Sequence, residues 1–167
     1  MIFRLSQKLA TKIKTVAPRS LPLNSNPFAD WSASVFTAAR AHYVILTNTA
    51  SLYSTVMHGR GISSDSQFLD RGLNCIREFM ADDALEFIYL RLIAPTTSSV
   101  AFSKALNRSV IGSMNDLIYH AKVWLTEGDL SPHDASFKLN GIPMSTLGYA
   151  NPRETLKALE PEHRAPD

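Results

Sequence analysis

The chain has 167 residues, 45% of them hydrophobic and 19% charged, enough to bury a real core and too apolar for a disordered polymer. Seventeen Lys and Arg against fifteen Asp and Glu leave a net charge of +2, too small an excess to argue by itself for nucleic acid or a membrane surface. The single cysteine, Cys75, excludes an intrachain disulfide and a cysteine-based zinc cluster.

Met1–Leu5 is a short apolar run that predicts a strand. Ser6 then caps a helix reaching Val16, with Leu9, Ile13 and Val16 recurring on one face. Arg4, Lys8, Lys12, Lys14 and Arg19 make this region basic, and no acid precedes Asp30. Transit peptides share that composition, but a strand followed by a capped amphipathic helix predicts folded structure and a cytoplasmic protein. Ala17–Phe28 holds Pro18, Pro22 and Pro27 and reads as a loop. Trp31–Ala39 and Ala41–Asn48 predict an antiparallel pair turning near Ala39–His42. Ser51–Met57 fits a third strand or a helix start equally well.

His58–Gly61 breaks the chain, and Ser64 or Asp65 then caps a helix striped by Leu69, Leu73, Ile76 and Met80. A further helix is expected over Asp82–Ile93, a loop at Pro95–Ser99 and a short strand at Val100–Ser103. Asn107–Leu125 carries the strongest helical pattern and ends before Gly128. Helices at Pro132–Leu139 and Pro152–Leu159 follow, separated by a turn at Gly141–Pro143. Strands gather in the first third and helices dominate afterwards. The expected architecture is therefore α+β: one domain over 1–159, a small, mostly antiparallel sheet packed by helices, and a frayed tail at 160–167. The longest apolar run, Leu85–Ile93, is interrupted by charges and falls short of the roughly 18 residues that span a bilayer, so no membrane contact is expected.

Three segments carry a resemblance: Asp30-Trp31-Ser32-Ala33, the run Leu46–Tyr53, and Asn107–Asp116. In that order they resemble an uncharacterised bacterial family, a domain of unknown function with W-x-A, F-T-N…L-Y and R-S-V-x-G-S-M-N-D segments. The resemblance extends from Ile2 to about Leu159. It implies the α+β fold and a bacterial origin, and it supplies no activity or catalytic residue. Leu139–Glu154 is also similar to the tail of integrase-type transposases. The spaced metal-holding acids of those enzymes have no match upstream, so that similarity implies only a turn at Pro143 and a helix start at Pro152.

Unrolled at 100° per residue, the Asn107–Leu125 helix places Val110, Met114, Leu117 and Ala121 on an inner stripe. Arg108, Gly112, Asn115, Tyr119 and Lys122 lie opposite, with Asp116 nearby. A glycine within a helix costs about 1 kcal/mol against alanine and wants a reason. One reason is a notch approached by a ligand, with Arg108 and Asn115 on its rim. The other is a helix that begins later, with Ser113 as its cap and free N–H groups that favour an anion. A solvated polar face accounts for the same residues. Asp116 and His120, four apart, form either a general-base couple or a surface pair. Trp31 with Asp30 and Thr47-Asn48 offers a second binding surface, or else a core anchor and a turn residue. The histidines show no metal-ligand spacing, and no phosphate loop, nucleophile elbow or zinc set occurs, so neither metal nor cofactor is expected.

The expected function is that of a small cytoplasmic bacterial binding module acting through a protein partner or by self-association. The alternative is an enzyme acting on the phosphate of a nucleotide or nucleic acid. It would use Arg108 toward phosphate and Asp116 with His120 for proton transfer. A third reading docks the basic first helix on an acidic partner through Lys8, Lys12 and Lys14, with salt-sensitive binding.

Overall fold

The computed structural model describes residues 1–17 and 19–161. Strands β2 (Asp30–Ala38) and β3 (Ala41–Asn48) form the expected hairpin, closed by Ala39 and Arg40, whose φ angles of 46° and 63° supply the twist of a two-residue turn. Ser51–Met57 resolves into a turn and then β4 (Ser54–His58), antiparallel to β3. The Asn48 side chain builds that turn by accepting from the Ser51 backbone at 3.0 Å and from its hydroxyl at 2.8 Å. Strand β1 (Ile2–Leu5) runs parallel to both β2 and β5 (Ala101–Lys104). The sheet order is β4-β3-β2-β1-β5; the antiparallel β2–β3 and β3–β4 pairings make up most of the ladder, as expected, and the two parallel pairings of β1 make the sheet mixed. Two four-residue strands carry no local sign of their direction. It is set by crossovers distant in sequence.

Six α-helical segments complete the α+β fold among the described residues. Helix α1 (Gln7–Lys12) is capped by the Ser6 hydroxyl but stops short of the expected Val16, because Lys14 turns to a φ of 56° and leaves Val16 81% exposed. Helix α2 (Asp65–Asp82) is capped by Ser64 and buries Phe68, Gly72, Ile76, Phe79 and Met80. Leu69 and Leu73 sit at the margin of that face. Gly72 lies within this buried face toward β3, where an added Cβ would make an ordinary contact with Leu46 at 3.6 Å. The expected helix over Asp82–Ile93 is instead broken at Ala84 (φ 59°). After it come α3 (Glu86–Ile88) and a π turn at Tyr89–Ile93. Helices α4 (Arg108–Thr126), α5 (Pro132–Leu139) and α6 (Pro152–Ala158) follow as the pattern predicts. Residues 162–167, most of the expected frayed tail, lie outside the described residues, as does Pro18 of the proline loop.

The two faces of the sheet bury separate clusters. Phe3, Leu5, Trp31, Val44 and Leu46 pack under α1 and α2. Phe36, Tyr43, Ile45 and Val56 pack under α4 and α5. At the β4 edge, side chains replace a further strand. The Asn140 amide accepts from Ser54 N and donates to Ser54 O, both at 2.7 Å, while the Ser136 hydroxyl accepts from Val56 N at 2.8 Å. Arg71 closes the end of that edge on the His58 carbonyl. At the other side of the sheet Arg4, 1% exposed, pairs with Asp30 and also binds the Leu21 and Pro22 carbonyls, pinning the proline loop.

Candidate functional site

Strand β1 ends at Leu5, opposite Ala33, whereas β2 continues to Ala38. The last bond on this side runs from Ser6 N to Ala33 O at 2.9 Å. Asp30 O accepts from Thr49 N on the β3 side, so alternation sends the N–H and C=O groups of Ala33, Val35 and Thr37 toward β1. Beyond Leu5 no strand is there to meet them. Among the described residues Val35 and Thr37 have no backbone partner on that side.

This open stretch is the floor of a groove of about 850 Å³ over Ser34, Val35, Phe36 and Thr37. One wall is α1, with Lys8, Thr11 and Lys12. The other is α4, with Asn115, Ile118 and Lys122, and His42 also lines the space. The lining holds no carboxylate. Lys8, Lys12 and Lys122 form no ion pair among the described residues. Their charge therefore faces water and the groove.

A smaller chamber of about 360 Å³ adjoins the groove and shares Ser34, Asn115 and Ile118 with it. Leu5, Ala105, Val110, Ile111 and Met114 make it mostly aliphatic, with the exposed Lys104 and Gln7 among its polar residues. Residue size explains the void. Under the C-terminal half of α4 the sheet presents Phe36 and Ile45, which meet Leu117, Ala121 and Leu125. Under the N-terminal half it presents Ser32 and Ser34, too short to reach Val110 and Met114.

The residues singled out from the sequence are dispersed. Trp31 and Asn48 are both 0% exposed and form no open surface. The Trp31 indole donates to Phe28 O at 2.8 Å, and Asn48 holds its turn and the Pro27 carbonyl. Asn107, not Ser113, caps α4, so the later helix start is corrected: Gly112 lies inside the helix. Gly112 is exposed, and a Cβ there would meet nothing within 4 Å, so no neighbouring backbone accounts for it. Ser113 turns inward and bonds the Thr146 hydroxyl at 3.0 Å. Asp116 and His120 border a separate pocket of about 250 Å³ beside Tyr119 and Tyr149. No hydrogen bond or ion pair between Asp116 and His120 occurs among the described residues, and His120 stacks on Trp124 at 5.7 Å. Arg108 is exposed and borders neither this pocket nor the groove. Of these candidates the groove takes Asn115.

Sequence reasoning missed His42, Lys104, the chamber and the open backbone of β2. Lys8 and Lys12 were legible as a basic helix face, but the length mismatch between β1 and β2 matters only once the two are known to be neighbours. Cys75 lies beside Thr55 at 3.3 Å, and burial, ahead of every other influence, pushes its thiol above the ordinary range, which disfavours a nucleophilic thiolate. No group of three or more His, Cys, Asp or Glu is placed to hold a metal among the described residues. Nor is any described helix long and apolar enough to cross a membrane.

These features define an α+β domain built on a mixed five-stranded sheet with helices on both faces. The chain belongs to the family described as a domain of unknown function (DUF6933), whose model matches residues 2–155. No curated protein and no solved structure matches it.

Proposed function

We propose that this domain acts by binding, and that its partner is an acidic segment of another protein held in the groove between α1 and α4. The observation that carries this reading is the convergence of Lys8, Lys12, Lys122 and His42 on a space lined by no carboxylate. Such a field attracts a negatively charged partner and speeds its encounter. A second copy of the chain is a poorer occupant, because pairing groove to groove would bring both sets of lysines together. The setting is the cytoplasm of a bacterium. The origin follows from the sequence resemblance, and a chain with one thiol and no possible internal disulfide suits a reducing compartment. No observation favours phosphate chemistry on the Arg108–His120 face, since Arg108 does not border the pocket beside Asp116 and His120.

The test is fluorescence anisotropy with a short labelled oligoglutamate. The wild type binds at low salt and weakens as salt approaches about 0.5 M, where charge interactions are screened within a few ångströms. The variant Lys8→Gln/Lys12→Gln/Lys122→Gln, melting at the same temperature, loses the binding. A wild type that ignores the peptide, or a triple variant that binds it equally well, would overturn the reading.

A further inference from the structure

We infer that the groove receives its partner as an added β-strand: an extended segment that pairs with β2 along Ser34–Thr37, its side chains alternating between aliphatic and acidic. This rests on the groove being a site for an acidic protein segment and specifies how that segment is held.

The first support is the backbone. Val35 and Thr37 turn two N–H and two C=O groups into the groove, in line with the ladder that β1 forms up to Ala33. Unpaired main-chain groups on a strand edge are a template for another chain, and peptides that add to such an edge draw affinity from main-chain bonds and specificity from alternate side chains. This open edge contrasts with the β4 edge, which Asn140, Ser136 and Arg71 close. The space has no folded occupant: the groove beside the edge is about 850 Å³.

The second support is the chemistry on either side of that line. Across a strand pair, opposite residues point to the same face. A residue opposite Ser34 therefore points to the α4 side, where the chamber of about 360 Å³ offers Val110, Ile111 and Met114 to an aliphatic side chain. A residue opposite Val35 or Thr37 points to the α1 side, where Lys8 and Lys12 stand. An aliphatic residue opposite Ser34 and acids opposite Val35 and Thr37 alternate along one line, which an extended segment supplies; a helix would present its side chains at a period of 3.6.

The experiment uses the whole chain and two peptides of equal charge, one with Glu and Leu alternating and one with the same residues in two blocks, beside oligoglutamate. The alternating peptide binds tightest. Shortening its aliphatic residues weakens it by about fourfold for each CH₂ withdrawn from the chamber. N-methylating alternate backbone amides separates a strand from any other bound form. Methylation of one alternate set costs about tenfold for each bond lost and methylation of the other set is tolerated, because only one set faces β2. Which set matters also reports whether the added strand runs with or against β2. On the protein side, Val35→Pro removes an outward N–H that the fold leaves unused and weakens the peptide by a similar factor. The Val35 and Thr37 amides gain hydrogen-exchange protection on binding, a readout that needs no variant.

If both methylated sets behave alike, or oligoglutamate binds as tightly as the alternating peptide, strand addition is overturned while the charge-based reading of the groove stands. If no peptide binds the wild type, both fall.

Discussion

Replacing Arg4 with Met removes a charge that the interior is built around. The Arg4 guanidinium has five N–H donors, and all are used: Asp30 takes two at 2.8 and 2.7 Å, and Leu21 O, Pro22 O and the Ser103 hydroxyl take the rest. Both charged side chains are 1% exposed or less. In Arg4→Met the Asp30 carboxylate keeps only the Asn24 N–H at 3.0 Å as a donor. Breaking a buried pair from one side costs about 3–5 kcal/mol. For a chain of this size that lowers the melting temperature by about 6–20 °C. The assay is urea and thermal unfolding by circular dichroism, on Arg4→Met, Asp30→Leu and the double variant. Removing both charges together leaves neither stranded, so the double variant should cost less than the two singles summed, by about 1–3 kcal/mol. Single effects below about 1 kcal/mol, or additivity within about 0.5 kcal/mol, would refute the account of a pair held tight by burial.

Gly112→Ala should stabilise the protein by about 0.5–1 kcal/mol, because the helix gains a better former at an exposed site with free space around it. A melting temperature that falls instead would refute the account of an exposed helical position with room for a methyl group. Cys75 should label slowly with a thiol reagent in the native state and fast in urea, and the gap should persist as pH rises past the ordinary thiol range. The sign follows from burial, which raises the folded-state value above the unfolded one: the stability tied to the neutral thiol is complete below the unfolded value and is lost as pH climbs through the folded one. Native labelling as fast as unfolded labelling would contradict this.

Local signals account for what could be read in advance. Ser6, Ser64 and Asn107 each precede a periodic run and each caps the helix that follows. The β-formers on either side of Ala39–Arg40 gave away the hairpin. Longer-range relations hid the rest. Ser51–Met57 was ambiguous because its strand begins only after a turn that the Asn48 side chain builds. The shift of the α2 face follows from Phe68 packing on Phe3 and Phe79 on Tyr53, contacts with segments distant in sequence. The site was legible in part: Lys8 and Lys12 share a helix face, but the floor between them and Lys122 exists because a four-residue strand lies beside a nine-residue one. Asn140 and Ser136 look like ordinary helix-end residues, and nothing in their neighbourhood says that they stand in for a strand.

The position of β1 between β2 and β5 has a consequence for how the chain comes together. Ile2 is paired with Asp30 on one side and with Ala101 on the other, so one edge of β1 waits for a strand synthesised 99 residues later. At ordinary elongation rates of about 5–20 residues per second, that wait lasts about 5–20 s. The β2–β3–β4 meander closes through short connections and needs no such delay. On a ribosome β1 can join β2 as soon as both have emerged, and only its outer edge stays open until β5 arrives.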